Sequence, residues 1–269
     1  ERRSLALGLG TAAGSFGQVV FSPMTQAMID QLGWFDALVA LSLVTLLIAP
    51  LAFALPSSAG RGTMAAAEQT IGAALREAAG NRGFVLLTLG FFVCGFQVAF
   101  ITVHFPAYVR DLGLPIGIGA AAMALVGLFN IIGSLSAGAI GQRFSKRYSL
   151  SAIYVLRSLA VTAMLLLPKT EINMLVFASV MGLLWLSTVP LTSGIVAQVF
   201  GVRYMATLFG VVFLGHQIGS FLGVWLGGLL YDRLGTYDPV WWMGVGLGLF
   251  AALVHLPIDE RPVPRLAVA

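Results

Sequence analysis

Polar side chains lie in the middle of several long apolar segments of this chain, and they are the groups best placed for chemistry. Burying a polar group without a partner costs on the order of 1–3 kcal/mol, and burying a charge costs more. Each such residue therefore contacts a ligand or forms a hydrogen bond between helices, or, for serine and threonine, bonds to the backbone of its own helix, and the sequence leaves these alternatives open. The set comprises Gln18, Gln97, His104, Asn130, Arg157, Ser187, Thr188, Thr192, His216 and Gln217.

Helical spacing places some of these residues on one face. Gln97 and His104 are seven residues apart with Phe100 between them, and His216 shares a face with Ser220. The pattern indicates a cavity lined by hydrogen-bonding groups with few fixed charges. The residues predicted to line it are Gln18, Gln97, Phe100, His104, Asn130, Trp185, His216 and Gln217, of which Gln97, Asn130, Trp185 and His216 are expected to point into its centre.

Two basic side chains in this set have specific interpretations. His216 can change its charge near neutral pH, so it is a candidate proton site beside a bound anion. Arg157 is the one obligate cation within an apolar segment. It could contact an anionic substrate or hold a gate, or it could hydrogen-bond helix ends or extend to the membrane surface. The sequence does not decide between these roles.

A serine hydrolase within the membrane is the alternative from a different functional class. Ser193 and His216 could form a dyad, because such dyads are defined by geometry. However, Leu191 stands in place of the first glycine of a G-x-S-G motif, and the sequence has no H-E-x-x-H motif for a metal site. The single cysteine, Cys94, lies within an apolar segment and indicates no redox chemistry. We therefore expect neither an enzyme nor a bound cofactor or metal.

The elements that carry these residues are apolar segments long enough to cross a bilayer. Hydrophobic residues make up 58% of the chain and charged residues only 10%, so lipid is the expected solvent. Lengths near twenty residues favour helices over barrel strands. The predicted fold is an all-α, polytopic transmembrane bundle of about eight spanning helices, at 5–30, 33–55, 84–109, 115–140, 149–167, 172–198, 206–230 and 239–257.

One connection between the spans is much longer than the others. Residues 56–83 begin as a Gly- and Ser-containing linker and continue into an Ala-rich amphipathic stretch at 64–79, which predicts a surface helix. We place the domain boundary there, and residues 259–269 form a tail. The chain opens on Glu1-Arg2-Arg3 directly before a span, so we expect the natural N-terminus to lie further upstream.

The basic residues indicate the orientation in the membrane. Most of the 15 lysines and arginines lie in the loops on one side, which the positive-inside rule assigns to the cytoplasm together with both termini. The net charge of +4 therefore reflects membrane orientation, and no nucleic-acid partner is expected. Glycines in the seventh span recur every four residues and predict close contact with another helix, either static or sliding: Gly215, Gly219, Gly223 and Gly227.

Three short motifs carry a family resemblance. The sequence from Gly138 to Arg147 resembles the G-x-x-x-D-R-x-G-R-R loop signature of the major facilitator superfamily, with Gln142 replacing the acid and Ser145 the second glycine. Arg2-Arg3-Ser4-Leu5-Ala6-Leu7-Gly8 is similar to the R-R-x-L-A-x-G motif of the monocarboxylate-porter and oxalate/formate-antiporter branches. Residues 227–237 resemble the junction between helices eleven and twelve of those branches.

The resemblance implies a fold and a function. The eight spans would be helices five to twelve of twelve, with 1–55 closing the N-terminal half and 84–258 forming the C-terminal half. The implied function is secondary transport of a small organic anion across the inner membrane by alternating access, as a monomer. In the family the signature loop braces helix ends, here through Gly138, Arg143, Lys146 and Arg147, although these cations could simply anchor the topology.

The sequence also departs from the family pattern. The monocarboxylate branch carries an Asp and an Arg where this chain has Asn130 and Ser134, so a coupling mechanism based on that ion pair is not available. Protons remain a possible co-substrate through His216. A receptor or assembly subunit on the same fold is the alternative, because fold does not dictate function.

Overall fold

The computed structural model describes residues 3–53 and 69–267, and all regular structure in those residues is helical. This confirms the predicted all-α class. The helices are α1 (Arg3–Thr45), α2 (Ile48–Phe53), α3 (Ile71–Gly80), α4 (Arg82–Asp111), α5 (Ile116–Arg143), α6 (Lys146–Leu166), α7 (Glu171–Leu184), α8 (Thr188–Phe200), α9 (Met205–Leu234), α10 (Asp238–His255) and α11 (Pro264–Ala267).

Within the described residues, six helical stretches are long and apolar enough to cross a membrane. They are Ala27–Ala52, Arg82–Asp111, Gly117–Arg143, Lys146–Leu166, Glu171–Phe200 and Met205–Leu234. The predicted spans 5–30 and 239–257 are also helical, within α1 and α10, but they are not among the six. In α10, which has 18 residues, Asp238 and His255 at the two ends lower the mean hydropathy.

A glycine divides α1 into two segments. Gly33 has φ 81° and ψ 164°, a conformation that a residue with a Cβ avoids. The bend lies where the sequence predicts the boundary between the first two spans. Beyond the linker, α3 forms the expected surface helix over 71–80. Thr70 caps its first turn, and Ala74 of this helix is buried. Residues 54–68, with the first part of the predicted helix, lie outside the described residues.

The predicted sixth span, 172–198, is not one continuous helix. Helix α7 ends at Leu184 and α8 begins at Thr188, with residues 185–187 between them. The physical reason is Pro190, which has no N–H to donate to the carbonyl of Leu186 and whose ring would clash with it. The predicted span itself is found, since Glu171–Phe200 is one of the six spanning stretches, but the break within it has free backbone groups that other helices must satisfy.

Glycines allow several helix pairs to approach backbone to backbone. Helix α9 packs along α4, α5 packs against α1 and α7, and α6 packs against α10. A Cβ at Gly219 would lie 2.0 Å from the carbonyl oxygen of Phe92, and one at Gly223 would lie 2.4 Å from that of Phe96. The glycines predicted to mediate close contact therefore face α4. In α1 the close contact is made by Gly8, whose Cβ would lie 2.8 Å from the carbonyl oxygen of Ser134.

Candidate functional site

The break between α7 and α8 is held from one side by Arg157 of α6. This side chain is fully buried, and its Nη2 donates to the carbonyl oxygen of Leu184 at 2.6 Å and to that of Trp185. Its Nε donates to Leu184 as well, at 3.2 Å. A guanidinium thus satisfies the last carbonyls of α7, where the helix dipole favours positive charge. Of the alternatives that the sequence left open, this geometry is the hydrogen bonding of a helix end.

Asn130 of α5 holds the break from another side. Its Oδ1 accepts from the backbone N–H of Leu186 at 2.9 Å, and its Nδ2 donates to the hydroxyl of Ser15 in α1 at 2.9 Å. Asn130 and Ser15 are both buried. One amide side chain therefore links the break to α1 and α5. The family resemblance would assign α1 to the N-terminal half of the fold and α5 to the C-terminal half.

Cys94 of α4 completes the contacts around the break. Its Sγ lies 3.3 Å from the hydroxyl of Thr188, the first residue of α8, and accepts from Nη1 of Arg157 at 3.4 Å. The guanidinium also lies 5.4 Å from the ring centre of Tyr154. We call Cys94, Asn130, Arg157, Thr188 and residues 185–187 the break cluster.

The charge of Arg157 has no carboxylate partner in the described parts of the chain. The ion pairs found there join Arg110 to Asp111, Arg261 to Asp259 and Arg265 to Glu77. Carbonyl dipoles, a thiol and an aromatic ring therefore balance a buried cation. This cation thus has no ion-pair partner among the described residues, and an unpaired charge is costly inside a membrane.

His216 of α9 is buried next to α4. Its ring lies 4.9 Å from that of Phe91 and is stacked at 5.1 Å on that of Phe213. Its Nδ1 lies 3.2 Å from Oε1 of Gln217 and 3.4 Å from the hydroxyl of Ser220. His216 therefore has polar partners on its own helix, whereas Gln217 itself is exposed.

The structure does not bring all the predicted cavity residues together. Gln97 is buried and donates to the carbonyl oxygen of Gly244 in α10 at 2.8 Å. Nε2 of His104 lies 3.0 Å from the carbonyl oxygen of Val224 in α9, and its ring lies 5.4 Å from that of Phe100. These three residues of α4 thus contact α9 and α10, whereas Asn130 and Trp185 belong to the break cluster. The side chain of Gln18 lies outside the described residues.

The dyad of the hydrolase alternative is not formed. The hydroxyl of Ser193 donates to the carbonyl oxygen of Val189 at 2.7 Å, one turn back in its own helix, and not to His216. Sequence reasoning missed the roles of Cys94 and Ser15 because they depend on the break. Pro190 was the signal in the sequence that could have revealed it.

The signature loop contacts the chain that follows α10. Glu260 accepts at Oε1 from the hydroxyl of Ser145 at 2.8 Å and from the backbone N–H of Arg147 at 2.6 Å. Nη1 of Arg147 donates to the carbonyl oxygen of Ile258 at 2.7 Å, and Lys146 donates to the side chain of Gln198 in α8 at 2.7 Å. The motif lacks its acid at position 142, and a carboxylate from the tail binds the loop instead.

The other two signature residues, Arg143 and Gly138, have different surroundings. Arg143 is exposed and has no hydrogen bond or ion pair within the described residues. Gly138 packs against Gly8 of α1, whose Cβ would lie 3.3 Å from its Cα. The tail itself is held by Arg265, which pairs with Glu77 of α3 at 2.9 Å and donates to the last carbonyl of α8, that of Phe200, at 2.8 Å.

The chain is similar to known proteins over most of its length. The family model described as Major Facilitator Superfamily matches residues 1–223 and 137–268. The uncharacterized MFS-type transporter YcxA of Bacillus subtilis (strain 168) is 27% identical over 246 residues, which cover 87% of this chain and 59% of that protein. Monocarboxylate transporter 11 of Mus musculus is 28% identical over 248 residues, covering 88% and 55%. The chain thus spans little more than half the length of these curated relatives.

A solved structure has the same fold. It is the Major Facilitator Superfamily transporter FucP in the outward conformation, which matches with a TM-score of 0.68 and 15% identity over 95% of this chain and 68% of that chain. The predicted fold is therefore confirmed. The chain belongs to the Major Facilitator Superfamily and is a multi-pass membrane protein.

Proposed function

We propose that the protein is a secondary transporter that moves a small organic anion, a carboxylate, across the cytoplasmic membrane by alternating access. The observation that carries this proposal is the break cluster, in which Arg157 is buried with no carboxylate partner among the described residues. Broken helices in the apolar region are where transporters expose backbone groups to a substrate. The names of several relatives, such as monocarboxylate transporter 12-B of Danio rerio and monocarboxylate transporter 13 of Bos taurus, support the substrate class.

The conformational change would occur between α1 and the helices after the linker. Asn130 and Ser15 join α5 to α1 through one hydrogen bond, and Gly8 meets Ser134 with almost no side chain between the backbones. Close packing between backbones depends little on hydrogen bonds, so one half can move against the other without breaking a large polar network. The break cluster lies beside this boundary, where a substrate would be alternately exposed.

We further propose an orientation of the protein in the membrane and a proton as co-substrate. Both ends of this chain would lie in the cytoplasm, the protein would be a monomer in the inner membrane, and His216 would carry a proton that travels with the anion. Binding an anion and a proton together is mutually favourable, because each raises the affinity for the other.

Uptake into proteoliposomes tests the proposal. We expect saturable uptake of at least one labelled monocarboxylate from a panel of acids and neutral analogues, with competition by other carboxylates. Neutral analogues of the same size serve as the matched control. Specific binding of a carboxylate without any uptake would favour the receptor alternative, and uptake of neutral solutes alone would refute the anion assignment.

A further inference from the structure

A groove with a volume of about 320 Å³ lies between α5, α6 and the break of α7 and α8. Its walls are mostly apolar. Gly133, Ala137 and Ile140 line it from α5, and Ala152 and Leu156 line it from α6. The third wall consists of residues on either side of the break. The groove is therefore shaped by the same interruption that creates the break cluster.

The groove opens towards the apolar part of the bilayer. Ile140 is 43% exposed and Leu156 is 49% exposed, although both belong to helices that are apolar enough to span a membrane. Exposed apolar side chains on a spanning helix are suited to contact with lipid tails. Hydrocarbon is thus the material that can enter the groove from the side.

Basic residues flank the end of the groove at the signature loop. Arg143 lies three residues beyond Ile140 on α5, and Lys146 lies three residues before the groove residue Ser149 on α6, so both continue the faces that line it. Arg143 has no partner among the described residues, and Lys146 is bound only to the neutral side chain of Gln198. Two positive charges are therefore available to an anion at this end.

We propose that this groove binds one acyl chain of an anionic phospholipid, with the phosphate held by Arg143 and Lys146. The distance along α5 from Gly133 to Ile140 is about 10 Å, which accommodates part of a lipid tail. The acyl chain of the lipid would contact Leu184, whose carbonyl oxygen accepts from Arg157. Bound lipid would thereby support the break cluster from the membrane side.

Native mass spectrometry of the purified, delipidated protein tests this site. The protein is titrated with phosphatidylglycerol, with phosphatidylcholine of the same chains and with glycerol phosphate. We expect phosphatidylglycerol to bind roughly thirtyfold more tightly than phosphatidylcholine, since each of the two basic groups near a lipid surface contributes about 1 kcal/mol. Glycerol phosphate alone should bind much more weakly than either lipid. Equal binding of all three probes would overturn the proposal in favour of a simple phosphate site.

Different variants test the contribution of the acyl chain to lipid binding and that of the phosphate headgroup. Ala152→Phe fills the groove from an exposed position and should abolish the tight lipid site, whereas Ala121→Phe, at an exposed position of α5 outside the groove, should leave it intact. Arg143→Gln should remove the preference for phosphatidylglycerol, while the acyl chain should still bind in the groove. Unchanged binding in Ala152→Phe would show that the lipid lies elsewhere on the surface. Thermal unfolding confirms that each variant is folded before titration.

Discussion

The carboxylate of Glu260 lies 2.6 Å from the backbone nitrogen of Arg147 and accepts its hydrogen bond. A residue of the tail thus caps the first turn of α6, where the helix has unsatisfied N–H groups and a positive dipole end. The family signature has an acid four residues before Lys146, and this chain has Gln142 there. The negative charge at this loop is therefore supplied from a distant part of the sequence.

Replacing this cap should release the tail. Glu260→Gln keeps one acceptor but removes the charge, so we expect a loss of about 1 kcal/mol at this contact. Hydrogen exchange of residues 258–265 should become faster, and proteases should cut there more readily. The matched control is Asp259→Asn: hydrogen bonds from Arg261 hold the pKa of the Asp259 carboxyl below its ordinary value, but the pair is exposed and stabilises little. Equal protection in Glu260→Gln and the wild type would contradict the capping role.

Arg157 should be needed for the stability of the break. Arg157→Met leaves the carbonyls of Leu184 and Trp185 without a donor, and each buried unsatisfied group costs about 1–3 kcal/mol. Arg157→Lys keeps the charge but cannot donate as a planar fork, so its Tm in detergent should lie between those of Arg157→Met and the wild type. A Tm in Arg157→Met equal to that of the wild type would show that the break does not depend on this side chain.

The glycines of α9 should not tolerate large side chains. Gly219→Leu places atoms where the carbonyl oxygen of Phe92 lies, so α9 must separate from α4. We expect transport to fall at least tenfold while the protein still inserts into the membrane. Gly228→Leu is the matched control, because a Cβ there meets no atom within 4 Å. Similar losses in both variants would mean that the effect is not caused by the contact with α4.

His216 should determine the pH dependence of substrate affinity. His216→Gln retains a hydrogen-bonding side chain on α9 but cannot bind a proton in the neutral range. We expect the apparent affinity for a carboxylate, measured between pH 5.5 and 8, roughly the range over which histidine titrates, to become flat in this variant. An unchanged pH profile would place the proton site on another residue or show that transport is not coupled to protons.

The helices were predictable because each is a long apolar run, and the observed ends of α4, α5, α6, α9 and α10 lie within a few residues of the predicted spans. Length and hydropathy could not reveal the break between Leu184 and Thr188, since the residues on both sides are apolar. The proline at position 190 carried that information. A proline in an apolar run marks a candidate break, and Pro106, which lies inside the continuous helix α4, shows that not every such proline interrupts a helix.

The candidate site was only partly predictable for a related reason. Asn130 and Arg157 were recognised as buried polar groups, but their partners at the break are backbone atoms of residues 184–186, which no side-chain pattern identifies. Gln97 is a buried polar residue in the middle of a span, as a cavity residue would be, yet its side chain donates to the carbonyl oxygen of Gly244. Residue type shows that a partner is required, and only the packing of the helices shows which partner it is.

The buried guanidinium also has an electrical consequence. Arg157 carries a full positive charge inside a spanning helix, and no described acid neutralises it. Moving one elementary charge across a potential of 100 mV changes the free energy by about 2.3 kcal/mol. Any conformational step that displaces α6 along the membrane normal is therefore biased by the membrane voltage, and an inside-negative potential favours the state in which this helix lies nearer the cytoplasm.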